Sequence, residues 1–213
     1  MDLDLKEIDK LEASRDYTNA ISSLKAMLAQ DQTEIIRYRL ALIELKTGQV
    51  KNALANFQLC SALEPQNHGV TLNYGHALKA AGENQQAAEK YLQLTKMTDN
   101  KIVAIGYWSL ASLKSYSFLA EDIDDITQRL KLETTPPGYR GLLLLSLAEA
   151  LDQQGNDDEA FMALQRGNDI IAQHRPFRGD LYQQLIQALM RDFKPSANSN
   201  TESLDTPIFI IGM

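Results

Sequence analysis

Residues 34–67 read EIIRYRLALIELKTGQVKNALANFQLCSALEPQN, and residues 68–100 read HGVTLNYGHALKAAGENQQAAEKYLQLTKMTDN. Matching residues of the two segments stand 34 positions apart, as Gly48 and Gly82 do. Apolar residues recur at helical spacing on both sides of that glycine. Glycine just past the last turn of a helix readily takes the left-handed backbone that ends it. The stretch therefore predicts two copies of one helix-turn-helix unit, each with its glycine at the turn.

Each copy also pairs a small residue with an aromatic residue four positions later, Ala53 with Phe57 and Ala87 with Tyr91. Two antiparallel helices approach closely only where a small side chain leaves room for a neighbouring ring. One such pair is typical of any helix core, but its recurrence in tandem is specific. The other predicted repeat-core positions are Leu40, Pro65, Tyr74, Gly75, Trp108, Ala148, Gly155 and Ala160.

This pattern resembles the tetratricopeptide repeat, a 34-residue unit with small residues at positions 8 and 20 and an aromatic at position 24. The resemblance implies an all-α fold, a right-handed superhelix of antiparallel helix hairpins whose first helices line a concave side. We expect about five hairpins in residues 1–193, with the first and fourth irregular. In the last repeat, Leu164 falls on the aromatic position. A final helix at about 180–192 closes the stack.

The character of the chain changes after residue 193. Residues 194–206 (KPSANSNTESLDT) are polar and lack a helical period, so we expect a linker. Residues 207–213 (PIFIIGM) form an apolar run that predicts a short orphan strand at the C-terminus, since both of its faces are apolar as in a parallel sheet. We expect this strand to be the start of a truncated domain.

The run TPIFIIGM resembles the first strand of the sulfotransferase domain. The Trp-containing segment GYWSLASLKSYSF and the segment Arg166-Gly167-Asn168 resemble parts of bacterial proteins that join tetratricopeptide repeats to a sulfotransferase. The resemblance implies a parent enzyme that uses a phosphosulfate donor nucleotide. The donor-binding loop and the catalytic residues of that family have no counterpart in these 213 residues, so we predict that this chain is not an enzyme.

Composition excludes several classes of protein. The net charge of −7 and the isoelectric point near 5.0 argue against nucleic acid, because a phosphate backbone is bound by concentrated Lys and Arg. A single cysteine forms no internal disulfide, and the N-terminus lacks the pattern of a signal peptide. No run approaches the roughly 20 apolar residues that span a bilayer. We therefore expect a cytoplasmic protein with neither a nucleic acid nor a membrane partner.

Reactive chemistry is sparse. His68, His76 and His174 show no metal-ligand spacing, so we predict neither a metal nor a cofactor. Cys60 falls where the repeat needs a small buried side chain, which favours an inert packed thiol. Carboxylates cluster at the starts of helices, where they favour the helix dipole, and they do not indicate a catalytic pair.

The first helix of each central repeat supplies the candidates for a peptide-binding groove. These are Tyr38, Arg39, Lys46, Asn73, His76, Lys79, Tyr107 and Lys114. Their lysines, one at the end of each first helix, form a predicted ladder that an acidic peptide would recognise. The alternative is that these lysines are solvated cations favoured by the helix dipole. Tyr38 and Leu42 occupy positions that hold Lys and Asn in the repeats that clamp chaperone tails, so that partner is disfavoured.

Two functions remain open at this stage. The first is a protein- or peptide-binding module that recruits substrate to, or regulates, its own sulfotransferase domain. The second is a structural scaffold that braces the catalytic domain or forms a homodimer. A basic open groove favours the first, and a large apolar patch on an outer face favours the second.

Overall fold

A computed structural model describes residues 5–30, 33–174 and 178–192, and this part of the chain is built from helices and short connections. The helices are α1 (Leu5–Ala13), α2 (Tyr17–Gln30), α3 (Glu34–Lys46), α4 (Val50–Leu63), α5 (His68–Ala80), α6 (Asn84–Thr95), α7 (Asn100–Ala111), α8 (Ala120–Leu130), α9 (Pro137–Gln153), α10 (Asp157–His174) and α11 (Gly179–Asp192). The predicted linker at 194–206 and the predicted strand at 207–213 lie outside the described residues.

The chain divides into two compact units, Met1–Arg175 and Pro176–Met213. The first unit holds α1 to α10, which follow one another as pairs of helices, so the predicted all-α architecture is confirmed. The second unit holds α11, which exposes an apolar stripe at helical spacing that includes Leu181, Leu185 and Leu189.

The predicted glycines end the first helices of three hairpins. Gly48, Gly82 and Gly155 have φ angles of +77°, +82° and +76°, in the left-handed region that side chains with a Cβ rarely adopt. No atom stands within 4 Å of the place that a Cβ would take at any of the three. These glycines are therefore needed for backbone conformation and not for packing space.

The aromatic ring of each second helix fills the space left by small residues. Phe57 is fully buried and packs with Ala41 of its own repeat and Ala77 of the next. Tyr91 is also fully buried, and a Cβ at Gly75 would lie only 2.4 Å from its ring. The ring thus fits between two successive first helices, as the small-to-large pairing predicts.

The same position in the last repeat departs from that prediction. Leu164 corresponds to Phe57 and Tyr91, yet 42% of its surface is exposed. Within the first unit, no described first helix follows α10 to cover Leu164 as the next first helix covers Phe57 and Tyr91. The expected core residue is therefore a surface residue.

Trp108 requires a second correction. We predicted a core residue because Trp108 aligns with Leu40, but the indole is 41% exposed whereas Leu40 is buried. Helix α7 buries a different face, which carries Val103, Ala104 and Leu110. Trp108 lies beside that face and lines one open volume together with Ala148 of α9.

The fourth pair of helices, α7 and α8, is joined by a longer connection than the others. Residues 112–119 separate α7 from α8. Tyrosine hydroxyls of this region form hydrogen bonds with aspartates of α8. The Tyr107 hydroxyl donates to Asp125 Oδ2 at 2.9 Å, and the Tyr116 hydroxyl donates to Asp122 Oδ2 at 2.9 Å. Asp122 Oδ2 also accepts from the amide of Leu119 and so caps the start of α8.

Helices α9 and α10 cross closely at two glycines. A Cβ at Gly167 would lie 3.2 Å from the carbonyl oxygen of Gly141, and a Cβ at Gly141 would lie 2.7 Å from Ile171 Cγ1. Gly167 is the centre of the Arg166-Gly167-Asn168 segment. Close helix packing thus accounts for the glycine in that segment.

Candidate functional site

A trough of about 510 Å³ lies along α9, between α7 on one side and α10 on the other. We call it the α9 trough. Its apolar lining is Trp108, Ala111, Leu145, Ala148, Ala160, Phe161 and Leu164, and its polar lining is Ser112, Lys114, Glu149, Asp152, Asp157 and Asn168.

Large apolar side chains project into this trough without being covered. Phe161 is 65% exposed, and Trp108 and Leu164 are each more than two-fifths exposed. Ala111, Ala148 and Ala160 leave the space between them open, because their side chains end at Cβ. The trough therefore offers apolar surface that a partner side chain can bury.

The rim of the trough carries more negative than positive charge. Lys114 Nζ lies 2.5 Å from Glu149 Oε2, so this ammonium group is already paired. Within the described part of the chain, the carboxylates of Asp152 and Asp157 have neither a hydrogen bond nor an ion pair. Both aspartates are exposed at the end of the trough where α9 ends and α10 begins.

Two of the predicted groove residues bind each other. Asn73 Nδ2 donates to the Tyr38 hydroxyl at 2.8 Å and to the carbonyl oxygen of Gly69 at 2.8 Å. Burial raises the pKa of Tyr38, so its hydroxyl stays protonated. The pair connects α3 to α5, and the Asn73 amide is already bound within the protein.

Arg39 is occupied by the first helix. Its guanidinium donates to Glu12 Oε1 at 3.0 Å and also pairs with Asp9. These contacts fix α1 against α3. Arg39 therefore contributes to the fold of the first repeat, and its charge is neutralised locally.

His76 is half-buried and contacts the second helix of its own repeat. Its Nδ1 lies 2.8 Å from the Tyr91 hydroxyl, and the two rings are tilted at 58°. Burial, followed by the charge of Lys79, lowers the pKa of His76, and burial raises the pKa of Tyr91 to about 12. Both groups are thus neutral near pH 7.

Tyr107 is a correction to the predicted groove. Only 3% of its surface is exposed, and its hydroxyl donates to Asp125 Oδ2. Burial and the bond to Asp125 raise the pKa of Tyr107. Arg129 Nε donates to the same carboxylate oxygen at 2.8 Å. A ligand on the surface therefore cannot reach the Tyr107 ring.

The three lysines of the predicted ladder each have a partner within the chain. Lys46 Nζ lies 4.8 Å from the centre of the Tyr17 ring. Lys79 Nζ donates to the carbonyl oxygen of Ser112 at 2.9 Å and to its hydroxyl at 3.0 Å. Only Lys114 lines the α9 trough.

Cys60 is a buried thiol. It is fully enclosed, and burial, together with the charge of Glu34, raises its pKa to about 11. A thiol that remains protonated is a weak nucleophile. Cys60 therefore occupies the buried packing position that the sequence predicts.

The carboxyl groups of Glu34 and Glu64 influence each other's ionisation. Desolvation, followed by the interaction with the Glu64 side chain and its charge, raises the pKa of Glu34 to about 7, while the pKa of Glu64 is lowered. An acid whose pKa is raised by folding destabilises the folded state as pH rises through that value. We therefore expect Glu34→Gln to increase stability relative to wild type at about pH 8, with little or no such gain at about pH 5. Urea denaturation at the two pH values measures this, and an equal effect at both would contradict the raised pKa of Glu34.

Sequence reasoning missed much of the α9 trough. Phe161 carried no signal, because the residue after the repeat's small position is normally solvent-exposed. Leu164 and Trp108 were assigned to the core. One signal was usable. Helix α10 is the second helix of the last repeat, so the residue that corresponds to Phe57 and Tyr91 is not covered by the first helix of a following repeat.

No family model matches the chain, and no curated protein does either. Several solved structures are similar to the chain. A crystal structure of MamA is 16% identical with a TM-score of 0.61, covering 80% of this chain and 97% of MamA. A tetratricopeptide repeat protein from Parabacteroides merdae is 17% identical with a TM-score of 0.62, covering 90% of this chain and 79% of that protein.

A third similar structure is BtubC from P. vanneervenii, which is 15% identical with a TM-score of 0.60. The match covers 97% of this chain and 85% of BtubC. At such low identities the likeness shows the fold alone. The chain therefore has the fold of tetratricopeptide-repeat proteins.

Two further features are absent from the described residues. None of the helices from α1 to α11 is long and apolar enough to cross a membrane. In residues 5–30, 33–174 and 178–192, no group of three or more His, Cys, Asp or Glu side chains is placed to hold a metal ion.

Proposed function

We propose that this chain is a protein-interaction module that binds an extended segment of a partner in the α9 trough. The observation that carries the proposal is the exposure of Trp108, Phe161 and Leu164 around one open volume. Exposed aromatic side chains with room between them are common binding hot spots, because a partner removes much apolar area from water there. The tetratricopeptide-repeat fold supports the same function.

Selection from a random peptide display library tests this function. We expect the selected peptides to bind Phe161→Ser at least about tenfold more weakly than wild type, because an exposed aromatic anchor is lost. Leu59→Ser is the matched control, since Leu59 is also exposed but lies on α4, outside the trough. Selected peptides that bind Phe161→Ser as tightly as wild type would show that the trough is not the site.

An acidic peptide on Lys46, Lys79 and Lys114 stays a prediction. Such a ligand would have to displace the intramolecular partner of each lysine, which makes the trough the better-supported site. Replacing all three lysines with glutamine is expected to abolish binding of acidic peptides without unfolding the chain. Equal binding of a panel of acidic peptides to the triple variant and to wild type would exclude the ladder.

We also propose that the repeats serve a sulfotransferase domain, as a recruiting or regulatory region. The support is the resemblance of TPIFIIGM and of Arg166-Gly167-Asn168 to that family. Close packing of α10 on α9 also explains Gly167, so the support rests mainly on TPIFIIGM. The coding sequence that follows Met213 tests the proposal. Codons for a loop of the form Pro-Arg-Ser-Gly-Thr-Thr are expected, and a stop codon or an unrelated domain would exclude it.

A scaffold that forms a homodimer is the second candidate function, and the exposed apolar stripe of α11 favours it. Leu185, Leu189 and Met190 are each more than half exposed. Light scattering after size exclusion measures the mass of wild type and of Leu185→Glu/Leu189→Glu. If α11 mediates assembly, wild type is a dimer and the variant a monomer of 23.8 kDa. A monomeric wild type would exclude this function.

A further inference from the structure

The charge on the rim of the α9 trough indicates the charge of the partner segment, which the apolar surface alone does not. Three carboxylates, of Glu149, Asp152 and Asp157, face the trough against one ammonium group, that of Lys114. Lys114 pairs with Glu149, which leaves two carboxylates without a partner in the described chain. The trough thus combines an exposed apolar wall with uncompensated negative charge.

We infer that the α9 trough binds a basic segment in which lysine or arginine alternates with leucine or an aromatic residue. The inference rests on the proposed function and adds the chemistry of the partner. The apolar side chains of the segment would cover Phe161 and Leu164 between α9 and α10. Its cationic side chains would reach Asp152 and Asp157, which lie at the same end of the trough.

Trp108 strengthens this choice of partner. The face of an indole attracts a cation, and the exposed indole lines the same volume as the carboxylates. An acidic segment would meet Glu149, Asp152 and Asp157 as like charges. Lys114 offers it little compensation, because Glu149 already holds that ammonium group at 2.5 Å.

Three synthetic peptides of one design test the inference by calorimetric titration of the full chain. They carry leucine and phenylalanine in alternation with lysine, with glutamine or with glutamate. We expect the lysine peptide to bind about tenfold more tightly than the glutamine peptide at low salt, and the glutamate peptide to bind most weakly. The advantage of the lysine peptide should fall as salt rises, because the charges are exposed to solvent.

The variant Asp152→Asn/Asp157→Asn removes the two unpaired carboxylates without changing side-chain size. We expect it to bind the lysine peptide roughly fivefold to tenfold more weakly than wild type, with the glutamine peptide unaffected. The matched control is Glu121→Gln/Asp124→Asn, which removes two exposed carboxylates of α8 that lie outside the trough. The control corrects for general attraction of a basic peptide to an acidic protein, and it should retain wild-type affinity.

The different results separate the partner chemistry from the proposed function. Equal binding of the lysine and glutamine peptides, with loss in Phe161→Ser, would overturn the inferred chemistry and leave the module intact. Tightest binding of the glutamate peptide would also overturn it, in favour of an acidic partner. Failure of all three peptides while a display-selected peptide binds would overturn the chemistry alone. Failure of display to yield any trough-dependent peptide would overturn the proposed function, and the inference with it.

Discussion

Replacing Tyr91 with alanine is expected to lower the free energy of unfolding by about 3–5 kcal/mol. The ring is fully buried and fits against Gly75, where a Cβ would stand 2.4 Å from it. Removing the ring loses its burial and leaves a cavity between two successive first helices, which can close only by moving whole helices. Tyr91 also belongs to the largest apolar cluster of the described chain, so the loss affects several repeats.

Chemical denaturation measures this effect, and Tyr91→Phe is its control. Phenylalanine keeps the ring but removes the hydroxyl that lies 2.8 Å from His76 Nδ1, so a loss of about 1 kcal/mol is expected. The two variants therefore separate packing from hydrogen bonding. If Tyr91→Ala stays within a few tenths of a kcal/mol of wild type, the close packing of the Tyr91 ring between α5 and α7 is wrong.

Replacing Gly106 with alanine is expected to destabilise the chain by about 1–3 kcal/mol. Alanine is the better helix former, so propensity alone would stabilise α7 by about 1 kcal/mol. The new Cβ, however, would lie 2.9 Å from Leu94 Cβ and 3.1 Å from the backbone nitrogen of Thr95. Backbone atoms cannot rotate away, so α6 and α7 must separate.

The same substitution at Gly138 is the matched control. This glycine lies in the first turn of α9, and no atom stands within 4 Å of the place that the alanine Cβ would take. Gly138→Ala is therefore expected to stabilise the chain by about 0.4–1 kcal/mol, because the unfolded chain loses freedom. Effects of the same sign at Gly106 and Gly138 would contradict the close approach of α6 and α7.

The hairpins were predictable from the sequence because their causes are local. Left-handed glycines such as Gly48 and Gly82 end their helices by their own backbone preference. The pairs of Ala53 with Phe57 and Ala87 with Tyr91 recur in each regular repeat. Period and residue size were therefore enough to place the helices and most of their buried faces.

The candidate site was less predictable because it depends on what covers each position. A period assigns Trp108 and Leu164 to the same repeat positions as buried residues, but it does not show whether a neighbouring helix covers them. Both are exposed in the α9 trough, Trp108 in the same volume as Ala148 of α9, and Leu164 on α10, the last helix of the first unit.

Side-chain partners from distant parts of the chain account for other errors in the predicted groove. Arg39 binds carboxylates of α1, and Tyr107 binds Asp125 across an irregular connection. The position of a residue in the repeat predicts the helix face from which its side chain projects, but not the group that the side chain contacts. Such pairings become visible only once the helices have been packed together.

Quenching of Trp108 fluorescence by acrylamide tests the central claim most directly, because this is the sole tryptophan of the chain and it lines the α9 trough. With a display-selected peptide at saturation, quenching is expected to fall well below that of the free protein, since the peptide covers an indole that is 41% exposed. Quenching that stays unchanged while calorimetry shows the peptide bound would place the partner elsewhere and contradict the account.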